Sequence, residues 1–165
     1  MTAEGDVPDL ERLLDELGNA QIRAVLVGGL AARLRGASVV TDDVDVVYAR
    51  DPENLQRLAA WITASNVRFL SRPDLTPLMS HLESPGHKLT RTQWGRLDLL
   101  GTAGAGRGYD DVAIGAEPLD DATPTILVAS LDMIITLKEE AGREKDVAVL
   151  PLLRSVRSQL AQRDD

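Results

Sequence analysis

Two aspartates separated by a single residue are the strongest chemical feature of the sequence. Asp43 and Asp45 lie in the run Thr41-Asp42-Asp43-Val44-Asp45-Val46-Val47. If this run is a strand, residues i and i+2 project from one face, so both carboxylates lie together and the valines point into the core. Two carboxylates held this close repel each other unless a proton or a divalent cation lies between them. Because oxygen ligands suit hard cations, the pattern predicts a site for Mg²⁺ or Mn²⁺ that substrate phosphates complete.

A pair of glycines upstream adds a second chemical feature. The apolar run over 23–27 predicts a strand, and it leads through Gly28 and Gly29 directly into a predicted helix. Glycine lets the backbone approach a phosphate closely, and a helix N-terminus offers unpaired N–H groups. Carboxylates for a metal beside glycines for phosphate predict a nucleoside triphosphate as substrate.

A third acid, Asp98, lies in the apolar run Arg96-Leu97-Asp98-Leu99-Leu100. An aspartate in the middle of an apolar strand is unfavourable unless it is paired or bound to a metal. Asp98 is therefore a candidate third metal ligand beside Asp43 and Asp45. The alternative is an ion pair with Arg96, its neighbour on the same face of the strand, and the sequence leaves both interpretations open.

The elements that must position these residues follow from hydrophobic periodicity and from capping signals. Helices are predicted over 8–18, 30–35, 51–64, 131–141 and 144–162, the last with a break or kink near Pro151. Strands are predicted over 23–27, 44–48, 67–70, 88–93, 96–100 and 126–128, with a loop over 71–86. This order predicts the α/β class, with a mixed β-sheet flanked by helices and a short C-terminal helical segment.

Length and composition predict one domain. The 165 residues are 44% hydrophobic and 27% charged, with no linker or repeat, so we expect a single domain over 1–165. Its core is predicted over about 20–130 and its C-terminal helices over about 131–163. Because the chain has no cysteine, metal sites with thiolate ligands and thiolate nucleophiles are both excluded. No apolar run approaches a membrane span, and residues 1–15 are acidic rather than basic, so a cytoplasmic protein without a membrane partner is predicted.

Charge is distributed unevenly along the chain. The formal net charge of −8 argues against broad, sequence-independent binding of nucleic acid. Acidic residues concentrate in 1–16, which includes Glu4 and Asp6, and in 41–53, whereas the balance is basic over 68–107. An acidic cluster beside a basic stretch suits a metal-and-phosphate site, although a scattered solvated surface is the alternative.

The glycine pair, a gap, and then Thr41-x-Asp43-hydrophobic-Asp45-hydrophobic resemble the signature of the DNA polymerase β-type nucleotidyltransferase superfamily. Within it, the chain is most similar to the minimal bacterial nucleotidyltransferases of the abortive-infection, type IV toxin–antitoxin kind (AbiEii-like). A second block supports this resemblance, because Ser130–Ile134 leading to a lysine, an arginine and a basic-Asp pair is similar to the family's later stretch. Those residues here are Lys138, Arg143 and Lys145-Asp146.

The resemblance implies a nucleotidyltransferase fold and a role for each matching residue. By it, Asp43 and Asp45 bind two Mg²⁺, and Asp98 is a third ligand that helps to activate the acceptor hydroxyl. The nucleotide-binding residues by resemblance hold the triphosphate or neutralise its charge: Gly28, Gly29, Thr41, Lys138, Arg143 and Lys145. The implied reaction is in-line attack on the α-phosphorus of an NTP with release of pyrophosphate.

The acceptor is left open by the sequence. Toxin-type relatives imply either an RNA acceptor such as tRNA, bound by residues 68–107, or a protein acceptor, with a cognate antitoxin as partner. A small hydroxylated cation of the aminoglycoside type is an alternative, because the acidic surroundings would attract it. A catalytically silent nucleotidyltransferase-like binding module is the alternative from another class of protein. Val39 stands where many relatives carry an arginine, which leaves the preferred NTP open.

Overall fold

In residues 7–164, which this computed structural model describes, seven strands form one mixed sheet with helices packed around it. The strands are β1 (Ala24–Val27), β2 (Asp43–Tyr48), β3 (Arg68–Phe69), β4 (His87–Thr92), β5 (Gly95–Leu100), β6 (Glu117–Pro118) and β7 (Ile126–Val128). The helices are α1 (Leu10–Asn19), α2 (Gly28–Leu34), α3 (Pro52–Ala64), α4 (Met79–Glu83), α5 (Tyr109–Val112), α6 (Leu131–Ala141) and α7 (Glu144–Arg163).

The order of the strands brings distant parts of the chain together at the centre of the sheet. The spatial order is β3-β4-β5-β2-β1-β7-β6. Strand β2 runs parallel to β5 and antiparallel to β1, and its register with β5 sets Asp45 opposite Asp98 and Asp43 opposite Arg96. Residues that are more than 50 positions apart in the sequence therefore lie side by side.

Local capping explains where the long helices begin. The Asp9 carboxylate accepts a hydrogen bond from the Arg12 amide at the start of α1, at 3.0 Å. Asp51 accepts one from the Asn54 amide at 3.2 Å, and Ser130 caps α6 in the same way. Each bond satisfies an N–H that has no partner within its own helix. Helix α6 ends at Gly142, whose φ of 62° closes the turn into α7.

The predicted α/β class, with a mixed sheet flanked by helices and a C-terminal helical segment, is confirmed. Two local predictions are wrong, and a third, the break or kink near Pro151, is wrong as regards the break. Helix α2 begins at Gly28, directly after β1, rather than at Leu30. The predicted loop over 71–86 contains α4, because Leu82 is buried and its carbonyl accepts a hydrogen bond from the Tyr48 hydroxyl at 2.7 Å. Helix α7 passes through Pro151 without a break.

Packing accounts for the continuity of α7. Leu150 and Leu153 are buried on either side of the exposed Pro151. Their burial contributes more than the single backbone hydrogen bond that the proline removes. Elements α5 and β6 were not predicted, and each has only a few residues.

Some predictions fall outside the described residues. Glu4 and Asp6 of the acidic first segment, and the ends of the predicted domain at 1–6 and 165, lie outside them. Within residues 7–164, no helix has the length and the apolar composition needed to cross a membrane.

Candidate active site

The β2–β5 register brings the three predicted metal ligands into one cluster. Carboxylate oxygens of Asp43, Asp45 and Asp98 all lie within 4.8 Å of one another. Asp98 is buried, and the other two are partly buried. Three carboxylates with hard oxygen donors fit the ligand preferences of Mg²⁺ and Mn²⁺, so the donor set could hold a divalent cation.

Burial and the neighbouring acids both disfavour the charged form of Asp45. Burial, the charge of Asp43 and a hydrogen bond to Asp98 together raise the pKa of Asp45 from its ordinary value of 3.8 to about 8. Without a metal, a proton therefore stays in the cluster at neutral pH. A divalent cation would remove the same repulsion and release that proton.

The side chain of Arg96 places a positive charge beside the acidic cluster. Its Nε and Nη2 atoms donate two parallel hydrogen bonds to the Asp98 carboxylate, at 2.9 and 3.1 Å. The same Nε lies 3.8 Å from an oxygen of Asp43. The predicted pair of Asp98 with Arg96 is therefore present and lies inside the acidic cluster, and the role of Asp98 as a metal ligand stays a prediction.

The glycine pair contacts the cluster from the side of β1. Gly28 has a φ of 73°, and a Cβ added there would overlap the Oδ2 atom of Asp45. Gly29 faces Thr41, whose hydroxyl lies 3.1 Å from Asp43 Oδ1 in a hydrogen bond. Glycine is thus required at position 28 by the protein's own carboxylate, a local reason that the sequence pattern did not reveal.

One buried acid, Asp146, binds two of the positively charged side chains that were predicted to lie in the site. Asp146 is 0% exposed and accepts hydrogen bonds from Lys138 Nζ at 3.1 Å and from Arg143 Nε at 2.7 Å. Burial alone would raise the pKa of Asp146, but these hydrogen bonds and the positive charges outweigh it and lower the pKa. Asp146 therefore holds the α6 lysine and the arginine before α7 close together, while Lys145 is exposed.

All nine predicted site residues line one cavity of about 1060 Å³. That volume lies at the upper end of the range for small-molecule sites, roughly 300–1,000 Å³. Part of the wall is aliphatic, and the residues involved are Val39, Ile134, Leu137, Val149 and Leu153. The cavity also contains polar residues that were not among the predicted site residues: Asp42, His87, Arg96 and Asp146.

Different signals could have identified these additional residues. The sequence indicates Arg96 as a pairing partner of Asp98. The alternation of side chains along a strand places Arg96 on the same face as Asp98, and this signal could also have marked it as a site residue. Asp146 belonged to the block after Lys138, but its position depends on the turn at Gly142, which no local periodicity predicts. Nothing in the neighbouring sequence marks His87, whose ring nitrogen lies 3.0 Å from the Thr102 carbonyl.

The basic stretch over 68–107 does not form one open surface. Within this stretch, which the structure describes in full, three arginines form ion pairs: Arg72 with Asp74, Arg96 with Asp98, and Arg107 with Glu140. Lys88 is buried and donates hydrogen bonds to the backbone carbonyls of Ser84 and Gly86. Arg68 and Arg91 line a separate hollow of about 440 Å³ near the β3 edge of the sheet.

A solved structure from Thermotoga maritima, described as a candidate nucleotidyltransferase, is similar to this chain. The similarity has a TM-score of 0.47 and 16% sequence identity, and it covers 93% of this chain and 91% of that chain. No family model matches the chain, and no curated protein matches it. Similarity at this level assigns no activity to the chain, so the functional argument depends on its own site.

Proposed function

We propose that the chain is a divalent-cation-dependent nucleotidyltransferase that moves a nucleoside monophosphate from an NTP to an acceptor hydroxyl. The observation that carries the proposal is a single cavity lined both by three clustered carboxylates and by Lys138, Arg143 and Lys145. A metal-bound triphosphate requires carboxylates close enough together to bind the metal, and positively charged side chains nearby to neutralise the phosphates. The resemblance of the Gly28–Asp45 segment to the polymerase β-type signature supports the same assignment.

In this proposal Asp43, Asp45 and Asp98 hold Mg²⁺ or Mn²⁺. The bound cation supplies Lewis-acid stabilisation of the charge that develops on the α-phosphate and on the leaving pyrophosphate. Lys138 and Arg143, held by Asp146, neutralise the triphosphate, and Lys145 contributes a further positive charge. Gly28, Gly29 and the adjacent Thr41 line the same cavity and would lie beside the phosphates.

The reaction balances without a further reactant. The acceptor oxygen forms a bond to the α-phosphorus as the bond between that phosphorus and its bridging oxygen to the β-phosphorus breaks. Pyrophosphate leaves with the electron pair of the broken bond. The hydroxyl proton passes to a carboxylate of the cluster, for which Asp98 is the proposed base, and from there to solvent.

For the acceptor, we propose first a hydroxyl of RNA such as tRNA. The support is the resemblance to AbiEii-like toxins, and a cognate antitoxin would then be a partner. Arg68 and Arg91 are the basic residues of the 68–107 stretch that line an open hollow outside the metal cluster. If they contact phosphates, binding of RNA weakens steeply with salt.

A small cationic acceptor is the second candidate, and one observation favours it. Most cations of the 68–107 stretch are engaged within the fold, whereas Asp43 and Asp45 in the main cavity are partly open to solvent. That distribution attracts a compact polyamine-like or aminoglycoside-like molecule better than an extended polyanion.

The test is transfer of label from each α-³²P-NTP with Mg²⁺ and total tRNA, resolved on a denaturing gel. A parallel reaction with an aminoglycoside is resolved by mass spectrometry. We expect label from one preferred NTP on one acceptor, and a loss of at least about a hundredfold in Asp43→Asn. Asp74→Asn, which changes an exposed acid that forms an ion pair with Arg72, is the matched control and keeps full transfer.

The outcomes separate the three classes of protein. Label on RNA supports the toxin-like enzyme, and label on the small molecule supports the second candidate. Label that persists in Asp43→Asn contradicts the metal assignment. If no acceptor is labelled under any condition, the enzyme proposal is wrong and a silent binding module is favoured.

A further inference from the structure

We propose that Arg96 is an internal counter-ion that competes with a divalent cation for Asp98 and so makes the Asp98 metal position the weaker one. In the metal-free protein Arg96 binds both oxygens of this carboxylate, and Asp98 becomes a better ligand when Arg96 releases it. This inference rests on the proposed function, because it assumes that the acidic cluster binds metal.

The hydrogen bonds of Arg96 engage both oxygens of Asp98. The distances of 2.9 and 3.1 Å describe a bidentate pair, the strongest geometry that an arginine and a carboxylate can form. The Asp98 side chain is only 9% exposed, so little water is available to replace Arg96 when the pair opens. A cation that uses an oxygen of Asp98 must therefore either break one of these bonds or share that oxygen with the positively charged guanidinium.

The charge of Arg96 also acts on the rest of the cluster. Its Nε lies 3.8 Å from Asp43 Oδ2, so the guanidinium is close to two of the three proposed ligands. A divalent cation bound there experiences repulsion from a positive charge a few ångströms away. Asp43 and Asp45 can bind one cation while Arg96 keeps Asp98, whereas a second cation at Asp98 binds more tightly when Arg96 moves away.

Arg96 has a route by which to move. Its side chain is 37% exposed and lines the main cavity, while its ion-pair partners within residues 7–164 are confined to the acidic cluster. On leaving Asp98 the guanidinium therefore turns into the cavity, where a triphosphate would offer it new acceptors. A nucleotide would then favour filling of the Asp98 position by giving Arg96 another partner.

If the ion pair between Arg96 and Asp98 were purely structural, metal binding would respond differently to its removal. Such a pair contributes little net stability, and its removal would leave the affinity for metal unchanged apart from general electrostatics. Arg91 allows this distinction, because it is the register partner of Arg96 on β4. Within residues 7–164, no carboxylate lies within ion-pair distance of Arg91, so Arg91→Gln removes the same charge without opening a pair at Asp98.

The experiment is a titration with Mn²⁺ alone, without nucleotide, in which electron paramagnetic resonance measures free Mn²⁺. For wild type we expect one tighter and one weaker equivalent. In Arg96→Gln the weaker equivalent tightens by at least about tenfold, and in Arg91→Gln it changes by less than about threefold. Arg96→Lys keeps the charge but cannot donate both parallel bonds, so its weaker equivalent lies between wild type and Arg96→Gln.

A double variant, Arg96→Gln with Asp98→Asn, tests whether Asp98 is the ligand that Arg96 releases, because the added affinity must then disappear. Circular dichroism checks that each variant folds, and Arg96→Lys provides the comparison if Arg96→Gln does not. Equal Mn²⁺ affinities in wild type, Arg96→Lys and Arg96→Gln overturn the inference and leave the proposed function intact. If Asp43→Asn binds as much Mn²⁺ as wild type, the proposed metal site itself is wrong.

Discussion

Replacement of Asp45 by asparagine stabilises the metal-free protein at neutral pH. Asparagine has nearly the same shape, keeps a donor for Asp98, and removes the need to take up a proton on folding that burial and Asp43 impose on Asp45. The folded state raises the pKa of Asp45 from 3.8 to about 8. At pH 7 this shift sets a ceiling of about 4 kcal/mol on the gain in the free energy of unfolding. Because solvent in the open cavity screens the repulsion, we expect a gain of about 1–2 kcal/mol.

The sign of the pH dependence follows from proton binding. Between pH 4 and pH 8 the folded state holds a proton on Asp45 that the unfolded chain has released. The stability that this group contributes is therefore complete below pH 4 and is lost as the pH rises through 8. The difference between Asp45→Asn and wild type should be negligible at pH 4 and largest near pH 8.

Urea denaturation, followed by the fluorescence of Trp61 and Trp94 in the presence of EDTA, measures this difference at several pH values. Addition of Mg²⁺ should then stabilise wild type and leave Asp45→Asn nearly unchanged, because binding to the folded state alone adds to its stability. Asp74→Asn, which alters an exposed acid, is the control. A metal-free Asp45→Asn that is less stable than wild type at pH 7, or a difference that does not vary with pH, refutes the reasoning.

Two further predictions concern the framework of the site. Gly28→Ala should lower the free energy of unfolding by more than about 1 kcal/mol, because its φ is 73° and the new Cβ would overlap Asp45. Gly106→Ala, with a φ of 93° and nothing within 4 Å of the new Cβ, should have a smaller effect in the same urea experiment. Asp146→Asn should cost about 2–3 kcal/mol and weaken binding of inorganic triphosphate, measured by calorimetry. Asp132→Asn, whose side chain is 79% exposed, should change stability by less than about 0.5 kcal/mol.

The parts of the site that local rules could predict are those that lie within one element. The alternation of side chains along a strand places Asp43 and Asp45 on one face, and this requires no knowledge of the rest of the fold. The same rule relates Arg96 to Asp98. The predicted α/β class follows similarly from the succession of helical and strand periodicities along the sequence. The observed order of helices and strands confirms it.

The parts that could not be predicted depend on contacts between distant segments. Asp98 reaches Asp45 only because β5 pairs in parallel with β2, and no periodicity specifies which strands become neighbours. Lys138 reaches Asp146 only because the chain reverses at Gly142. Helix α4 forms because Leu82 finds a buried position beneath Tyr48, although the prolines of its segment indicate a loop.

Each carboxylate of the cluster is held by a different part of the protein. Thr41 contacts Asp43 through its hydroxyl, Gly28 leaves space for Asp45, and Arg96 binds both oxygens of Asp98. The three carboxyl groups are thus brought together before any ligand arrives, and holding them there destabilises the fold by an amount that metal binding would reduce. Such preorganisation is favourable for catalysis, since little rearrangement is then needed when charge develops in the transition state. Removing the repulsion should therefore raise the stability of the protein and lower its activity. Replacing an acid whose role is only structural would instead lower both.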